Sequence, residues 1–349
     1  MSLPRVVLLC GGPSDEHDVS LASARSVIGA VGDRLHLLPL VLDRGGRLLG
    51  QNDSRRALEA TPIGGDGTIA LTASSGPPPR LNVEALSLRP DDVVFPLLHG
   101  PFGEDGSVQG LLKLLGVAHV GSGVLASAVG MDKLTMKAVF AAHGLPQVAY
   151  GGVTAAAWRR DRDGATGSLA HLRWPRFVKP ANLGSSIGIA RVDDMAAFGS
   201  AVDVALSFDR RVIVEEAVQS ARELEIAVLG NDDPQLSPIG EIRFDATFYD
   251  YATKYTQGRA RLEIPAALPE RVADTVRSVA LRAFDAIDAA GLARVDLFYD
   301  EAADAVTLNE INTMPGFTAT SMYPRLWEAG GVPYADLVER LVTLALERR

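Results

Sequence analysis

The chain has 349 residues, 47% of them apolar and 22% charged, with a net charge of −9 and one cysteine. Its length predicts roughly two or three domains; the acidic balance without a basic stripe excludes a general nucleic-acid binder, and no apolar run approaches the ~20 residues that span a membrane. Cys10 has no partner for an intramolecular disulfide and fits a reducing cytoplasm; set inside an apolar run, it reads as a small core residue.

Met1 to Val6 leads straight into a strand and lacks a signal-peptide pattern. Arg5 to Cys10 reads as a buried strand ending at the turn Gly11-Gly12-Pro13-Ser14. Asp15 to Asp18 then opens a helix over Val19 to Val31, with acids in its first turn as the helix dipole favours, and a strand follows over His36 to Leu42. Strand, turn, helix, strand is the start of an α/β unit. Glu16 has two readings here: helix N-terminal charge, or a carboxylate at a strand's C-terminal end, where open α/β sheets place ligands.

Residues 50–90 are loop-rich, with Gly64-Gly65-Asp66-Gly67 and Pro77-Pro78-Pro79, and read as surface excursions around a short strand. Asp92 to Leu98 is a strand that runs into His99-Gly100-Pro101-Phe102-Gly103-Glu104-Asp105-Gly106, a loop with demanding backbone geometry, before a helix over Ser107 to Leu115. A lone histidine is more often structural than catalytic; His99, at a strand terminus beside glycines, is a better candidate than most. Gly121-Ser122-Gly123 and a helix over Leu125 to Ala142 read as a crossover into a second domain, with Lys133 inside that helix as a solvated side chain.

A strand holding Lys179 enters the loop Gly184-Ser185-Ser186-Ile187-Gly188 and then a strand over Ile189 to Val192. Backbone N–H groups and hydroxyls of such a loop can cover phosphates, with the lysine as a compact charge. It is not a Walker A motif, since the lysine precedes the glycines; a plain Gly/Ser hairpin turn is the alternative. The strand Arg211 to Val218 ends in Glu215 and Glu216 followed by Ala217 and Val218, a segment able to offer backbone groups to an adenine edge. A strand from Arg222 to Leu229 carries Glu223, which can accept from ribose hydroxyls. The aromatic segment Phe248 to Tyr255 follows a strand over Gly240 to Phe244 and precedes a proline-containing stretch, Leu262 to Pro269. It reads either as a loop anchored by tyrosines or as a lid.

A helix from Pro269 to about Ala290 precedes two short apolar strands, Val295 to Tyr299 and Val306 to Leu308, which the polar turn Asp300 to Asp304 joins as a hairpin. Asp296 interrupts the first strand, and Glu310 and Asn312 lie two apart at the end of the second, on one face. Three hard oxygen ligands can converge there, as suits Mg²⁺ carrying a nucleotide phosphate; the alternative is a solvated acidic hairpin. The amphipathic helix Tyr334 to Glu347 is expected to pack on the C-terminal domain.

Taken together, six segments resemble the D-alanine:D-alanine ligases of the ATP-grasp superfamily, in order and across nearly the whole chain. They are residues 11–20 (GGPSDEHDVS), 98–106 (LHGPFGEDG), 121–133 (GSGVLASAVGMDK), 178–186 (VKPANLGSS), 248–255 (FYDYATKY) and 309–318 (NEINTMPGFT). The resemblance implies an α/β (α+β) ATP-grasp fold of three domains: a Rossmann-like N-terminal domain (1–125), a central domain (126–220) and a C-terminal domain with the metal site and lid (221–349). It implies ATP-dependent condensation of two D-alanines through a D-alanyl phosphate, supplying peptidoglycan precursors in the cytoplasm, in a homodimer that binds neither nucleic acid nor membrane.

By the same resemblance, Asp296, Glu310 and Asn312 would hold two Mg²⁺ ions, or Mn²⁺ in their place. Lys133 and Lys179 would meet the ATP phosphates beneath Ser185, with Lys254 also at the nucleotide. Glu215, Glu216, Ala217 and Val218 would bind adenine and Glu223 the ribose. Glu16 would take the first D-alanine's ammonium and His99 would orient that substrate. Arg294 and the Gly316 N–H would stabilise the oxyanion; Ser321, the Met322 backbone and Lys254 would receive the second carboxylate. Ser186 and Tyr255 would hydrogen-bond with Glu16 and close the lid. Related ligases that form a D-alanyl-D-lactate ester have a histidine in the role of Tyr255, so the tyrosine favours an amine nucleophile. The chain departs from the pattern between Glu215 and Arg222-Glu223, where Ser220-Ala221 replace a shorter spacing with a glycine; this leaves open whether Glu215 or Glu216 faces adenine. Residues 50–90 and 159–170 carry no functional reading. The rival readings are a D-lactate or other D-amino-acid ligase of the same fold and a catalytically silent ATP-binding module. A dinucleotide dehydrogenase is disfavoured because Gly11-Gly12-Pro13 is not G-x-G-x-x-G.

Overall fold

The computed structural model of the chain describes residues 4–60, 82–184, 187–218, 221–244 and 260–349. Strands β1 (Arg5–Gly11), β2 (His36–Leu42), β3 (Val93–Pro96) and β4 (Ala118–His119) form a parallel sheet in the order β2-β1-β3-β4. Its centre, β1, is a continuous apolar run because both faces are covered. Val6, Leu8 and Cys10 join Leu21, Ala24 and Val27 of helix His17–Val31, while Val7 and Leu9 cluster with Leu112 of helix Ser107–Leu114.

Strands β5 (Tyr150–Thr154), β6 (Arg176–Pro180), β7 (Ala190–Val192) and β8 (Arg211–Glu216) make an antiparallel sheet, β5-β8-β6-β7, with its own core around Trp158, Phe198 and Val202. The third sheet is built from β9 (Arg222–Gly230), β10 (Gln235–Leu236), β11 (Gly240–Phe244), β12 (Ala260–Glu263), β13 (Gly291–Asp300) and β14 (Ala305–Asn312). Its order is β12-β11-β9-β13-β14, with β10 on β9. Helix Glu270–Ala286 covers one face of it with Val272, Val276, Val279 and Ala283, spaced three and four apart as a buried helical stripe requires. The mixed α/β architecture expected from the sequence is present.

Several local expectations change. Residues 51–60 are helix, and no strand lies in the described part of 50–90. The expected helix over 125–142 is two helices, Val124–Met131 and Lys133–Ala142. Asp132 leaves the helical region (φ −91, ψ 99) and its side chain accepts the Thr135 N–H, capping the second helix. Lys133 is therefore the first residue of a helix rather than a solvated mid-helix side chain. Met136 and Phe140 of these helices enter the core of the third sheet. Residues 155–160 and 162–167, which overlap the stretch 159–170 without a functional reading, are short helices beside the second sheet, and helix Met195–Phe208 was not anticipated.

The C-terminal helix Tyr334–Glu347 does not pack on the C-terminal domain alone. Leu337, Val338, Leu341 and Val342 share one core with Val6, Leu8 and Phe95 of the first sheet and with Ala227 and Leu292 of the third. Arg34 reinforces the docking with ion pairs to Asp336 at 2.6 Å and Glu339 at 2.7 Å. Among the described residues no helix is long and apolar enough to cross a membrane.

Candidate active site

One face of the third sheet is apolar and packed; the other carries charge. Leu224, Ile226, Val295, Leu297, Leu308 and Ile311 are buried together. The alternate positions present Glu223, Glu225, Arg294, Asp296, Glu310 and Asn312. In register, Asp296 pairs with Glu225 on one side and Glu310 on the other, and Arg294 lies opposite Asn312. Strict alternation would not put Leu308 and Ile311, three residues apart, on the same face. A bulge supplies the missing step: the pairing jumps from Asp296 with Glu310 to Leu297 with Leu308, and Asn309 is the extra residue. Glu310 and Asn312 thus lie at the end of β14, as expected from the sequence.

Arg294, 9% exposed, donates through Nε and Nη2 to the two Asp296 oxygens, each at 2.7 Å, and its Nε lies 3.0 Å from Glu225 Oε2. Asn312 Nδ2 donates to Asp296 Oδ2 at 3.0 Å. Burial pushes the Glu223 carboxyl up to about 7, and the nearby Asp296 and Glu310 charges add to the effect. Crowded hard oxygens of this kind suit a divalent cation. Among the described residues no three His, Cys, Asp or Glu side chains close into a cage. Asp296, Glu310 and the Asn312 amide would therefore leave coordination positions to phosphate oxygens and water, the usual way Mg²⁺ is held.

Two lysines flank this face. Lys133 Nζ donates to Leu183 O at 2.6 Å and stands 4.0 Å from Glu310. Burial lowers its pKa, an effect the Glu310 charge opposes. Lys179 projects from β6, whose residues Arg176, Val178 and Pro180 are buried on the opposite face. Its ammonium lies 2.7 Å from Glu215 Oε2. The other Glu215 oxygen lies 2.8 Å from Lys137. Burial alone would raise the Glu215 pKa, but the two ammonium groups hold it well below the usual carboxylate range.

Consecutive residues of β8 point opposite ways, which separates Glu215 from Glu216. Glu215 turns toward the lysines, whereas Glu216 accepts from Arg173 at its backbone N (2.9 Å), Nε (3.0 Å) and Nη2 (2.8 Å). Ala217 gives its N–H to Pro175 O at 2.9 Å, so this part of the segment is held by the β6 side of the sheet.

The first sheet contributes the third wall. Gly11 ends β1 at φ +84, and a Cβ there would lie 2.3 Å from Leu42 O. Its N–H donates to Ser20 Oγ at 2.7 Å, and Ser20 in turn donates to Leu97 O. The turn that follows delivers Glu16 to the start of helix His17–Val31. A Cβ on Gly100 would stand 3.3 Å from Glu16 Oε2, and one on Gly184 3.6 Å. The carboxylate therefore sits between the β3 loop and the Gly184 loop, at a 60 Å³ cleft that Phe102, Leu183 and Ile187 also line.

His99, 4% exposed, has Nδ1 3.6 Å from Glu104 Oε1 and Nε2 3.4 Å from Ser23 Oγ. Burial would lower its pKa, but the Glu104 carboxylate beside it and the Glu16 charge hold it above the ordinary value. Ser23 Oγ also accepts the Phe317 N–H at 3.4 Å, tying His99 to the segment that carries Gly316. A Cβ on Gly316 would lie 3.2 Å from Ser321 Oγ. Ser321 precedes helix Met322–Ala329, but its hydroxyl meets Thr318 Oγ1 at 2.8 Å instead of capping it. The helix start at Met322 is where backbone N–H groups favour a carboxylate.

The fold thus brings Glu16, His99, Lys133, Lys179, Glu215, Glu223, Arg294, Asp296, Glu310, Asn312, Gly316 and Ser321 to the walls of one region between the sheets. Ser185, Ser186, Lys254 and Tyr255 lie outside the described residues. Sequence reading missed Lys137, Glu225, Glu104 and Ser23. Lys137 had a signal, standing four residues after Lys133 and so on the same helix face; Glu225, two after Glu223 in a strand, had another.

Known proteins align with this chain over its full length. A family model described as D-ala D-ala ligase N-terminus matches residues 5–122, and one described as D-ala D-ala ligase C-terminus matches 139–343. A D-alanine–D-alanine ligase of Deinococcus radiodurans is 50% identical over 347 residues, covering 99% of each chain. Among solved structures, the D-alanine-D-alanine ligase from Coxiella burnetii superposes with a TM-score of 0.81 at 33% identity, covering 100% of this chain and 95% of its own. The VanG D-Ala:D-Ser ligase from Enterococcus faecalis does so at 0.81 and 27% identity, covering 99% and 100%.

Proposed function

The chain belongs to the D-alanine–D-alanine ligase family, and from that premise we infer how its residues divide the work of joining two D-alanines at the expense of ATP. One carboxylate oxygen attacks the γ-phosphorus, ADP leaves, and a D-alanyl phosphate forms. The second D-alanine's amine then adds to the acyl carbon, and phosphate departs as the peptide bond closes. The observation that carries the assignment is the single polar face on which Asp296, Glu310, Asn312 and Arg294 converge, beside Lys133 and Lys179.

Asp296, Glu310 and Asn312 would hold two Mg²⁺ ions, or Mn²⁺, which when bound neutralise charge on the transferring phosphoryl group. Lys133 and Lys179 pair with the phosphates, and the Gly184 loop with Ser185 covers them. Backbone groups of the Glu215 to Val218 segment read the adenine edge, the Glu215 carboxylate itself being held by lysines; Glu223 serves the ribose. Glu16 takes the first substrate's ammonium in a charge-assisted contact, and His99 orients it. Arg294 and the Gly316 N–H face the oxyanion that develops when the amine adds. Loss of one such donor typically lowers the rate by about 10²–10³. Ser321 and the helix start at Met322 receive the second carboxylate together with Lys254. Ser186 and Tyr255, outside the described residues, would hydrogen-bond with Glu16 as a lid, and a tyrosine in that role favours an amine over a hydroxyl nucleophile. A cytoplasmic location accords with the single buried thiol, and we propose a homodimer, to be checked by light scattering.

A coupled ADP-release assay with D-alanine, L-alanine and D-lactate tests the whole reading. Release should require a divalent cation and D-alanine, and mass spectrometry should find the dipeptide as the main product. Ester as the main product at neutral pH would overturn the specificity assignment. Glu310→Gln should abolish turnover without unfolding; survival of more than about a tenth of the activity would take Glu310 out of the metal site.

A further inference from the structure

We propose that Lys137 is a positioning residue that sets the affinity for ATP: by sharing the carboxylate of Glu215, it keeps the ammonium of Lys179 placed toward the phosphates and the three-residue cluster net positive. The inference rests on the reading that Lys179 meets the nucleotide.

Lys137 lies one turn after Lys133 on helix Lys133–Ala142 but is 1% exposed. An ammonium buried that deeply is retained only where a partner charge compensates it. Its ionic partner is Glu215 Oε1 at 2.8 Å, and it stands over the Tyr150 ring at 5.6 Å. Glu215 is itself buried, and its second oxygen meets Lys179 at 2.7 Å. Of the three side chains, that of Lys179 is 14% exposed, against 2% for Lys137 and 4% for Glu215, so it is the one that opens toward the site.

The charge count gives the pair its function. One carboxylate between two ammonium groups leaves the cluster with a net charge of +1, presented at Lys179. Without Lys137, Glu215 and Lys179 neutralise each other, and the triphosphate meets a neutral pair. A lysine needed for packing alone would be replaced by methionine at little cost, since a buried ion pair is often no better than apolar residues of the same volume.

Steady-state kinetics of the full chain test this, with melting curves as a fold control. Lys137→Met should raise the KM for ATP about tenfold, the size of one charge-assisted contact, and leave the KM for D-alanine and kcat within about twofold. Lys137→Met/Glu215→Gln removes both charges and frees Lys179 again, so its KM for ATP should return to within about threefold of wild type. Lys179→Met separates the two readings. An unchanged ATP KM there removes the phosphate assignment and the proposal with it. A raised value there beside an unchanged one in Lys137→Met removes the proposal alone. A double variant as weak as the single would also overturn it, since the effect would then not run through Glu215. Should Lys137→Met fail to fold, Lys137→Gln, which removes the charge but keeps a polar partner for Glu215, must show the same rise in the ATP KM; an unchanged value there would refute the proposal.

Discussion

His99 sits between Glu104 and Ser23, buried and held above its ordinary pKa by the neighbouring carboxylates. A histidine whose folded pKa exceeds its unfolded value, near 6.5, contributes stability that is full below that value and is lost as the pH rises through the folded one. The stability gap between wild type and His99→Gln in urea titrations should therefore be widest near about pH 5.5 and shrink by about pH 8.5. A gap that stays constant or grows would mean that His99 is neutral throughout. At this scale the sequence was informative wherever a simple period applied: Asp296, Glu310 and Asn312 fall on one face because strand side chains alternate. It could not distinguish Glu215 from Glu216, because that choice depends on which side of β8 the lysines approach. The helical spacing from Lys133 pointed to Lys137, but its pairing was not legible, its partner lying 78 residues away in the chain (215 − 137).

Single elements place these residues by backbone geometry as much as by side chains. Gly11 occupies the left-handed region where β1 turns toward Glu16, and any Cβ there collides with the Leu42 carbonyl, which cannot swing aside without breaking the β1–β2 ladder. Gly11→Ala should cost about 2–4 kcal/mol, combining the left-handed penalty with the clash. Chemical denaturation measures it, and a loss under about 1 kcal/mol would show that the turn relaxes freely. The Gly-Gly-Pro-Ser turn was legible from composition; the bulge at Asn309 was not, since Leu308 to Asn312 reads equally well as a continuous strand. The break at Asp132 was similarly obscured by apolar residues on both sides, although an aspartate three residues before Thr135 is a capping signal.

For the whole molecule, the strand–turn–helix–strand order of the first residues foretold an α/β unit, and the first sheet is parallel. The destination of the last helix was not legible, because amphipathicity defines an apolar face but not what covers it. Leu341, fully buried, touches a core common to the first and third sheets. Leu341→Ala should lower stability by about 2–5 kcal/mol. Hydrogen exchange should quicken in β1 and β9 together while β6 and β8, which have a separate core, change less. Acceleration confined to one of the two sheets would mean that the core is not shared. The same packing has a consequence for biosynthesis. Val6 and Leu8 leave the ribosome more than 300 residues before 337 to 345, which form part of the surface they bury against. Through most of translation the N-terminal sheet must wait with an apolar flank uncovered, and this is the stage at which the nascent chain is most exposed to aggregation and most in need of a chaperone.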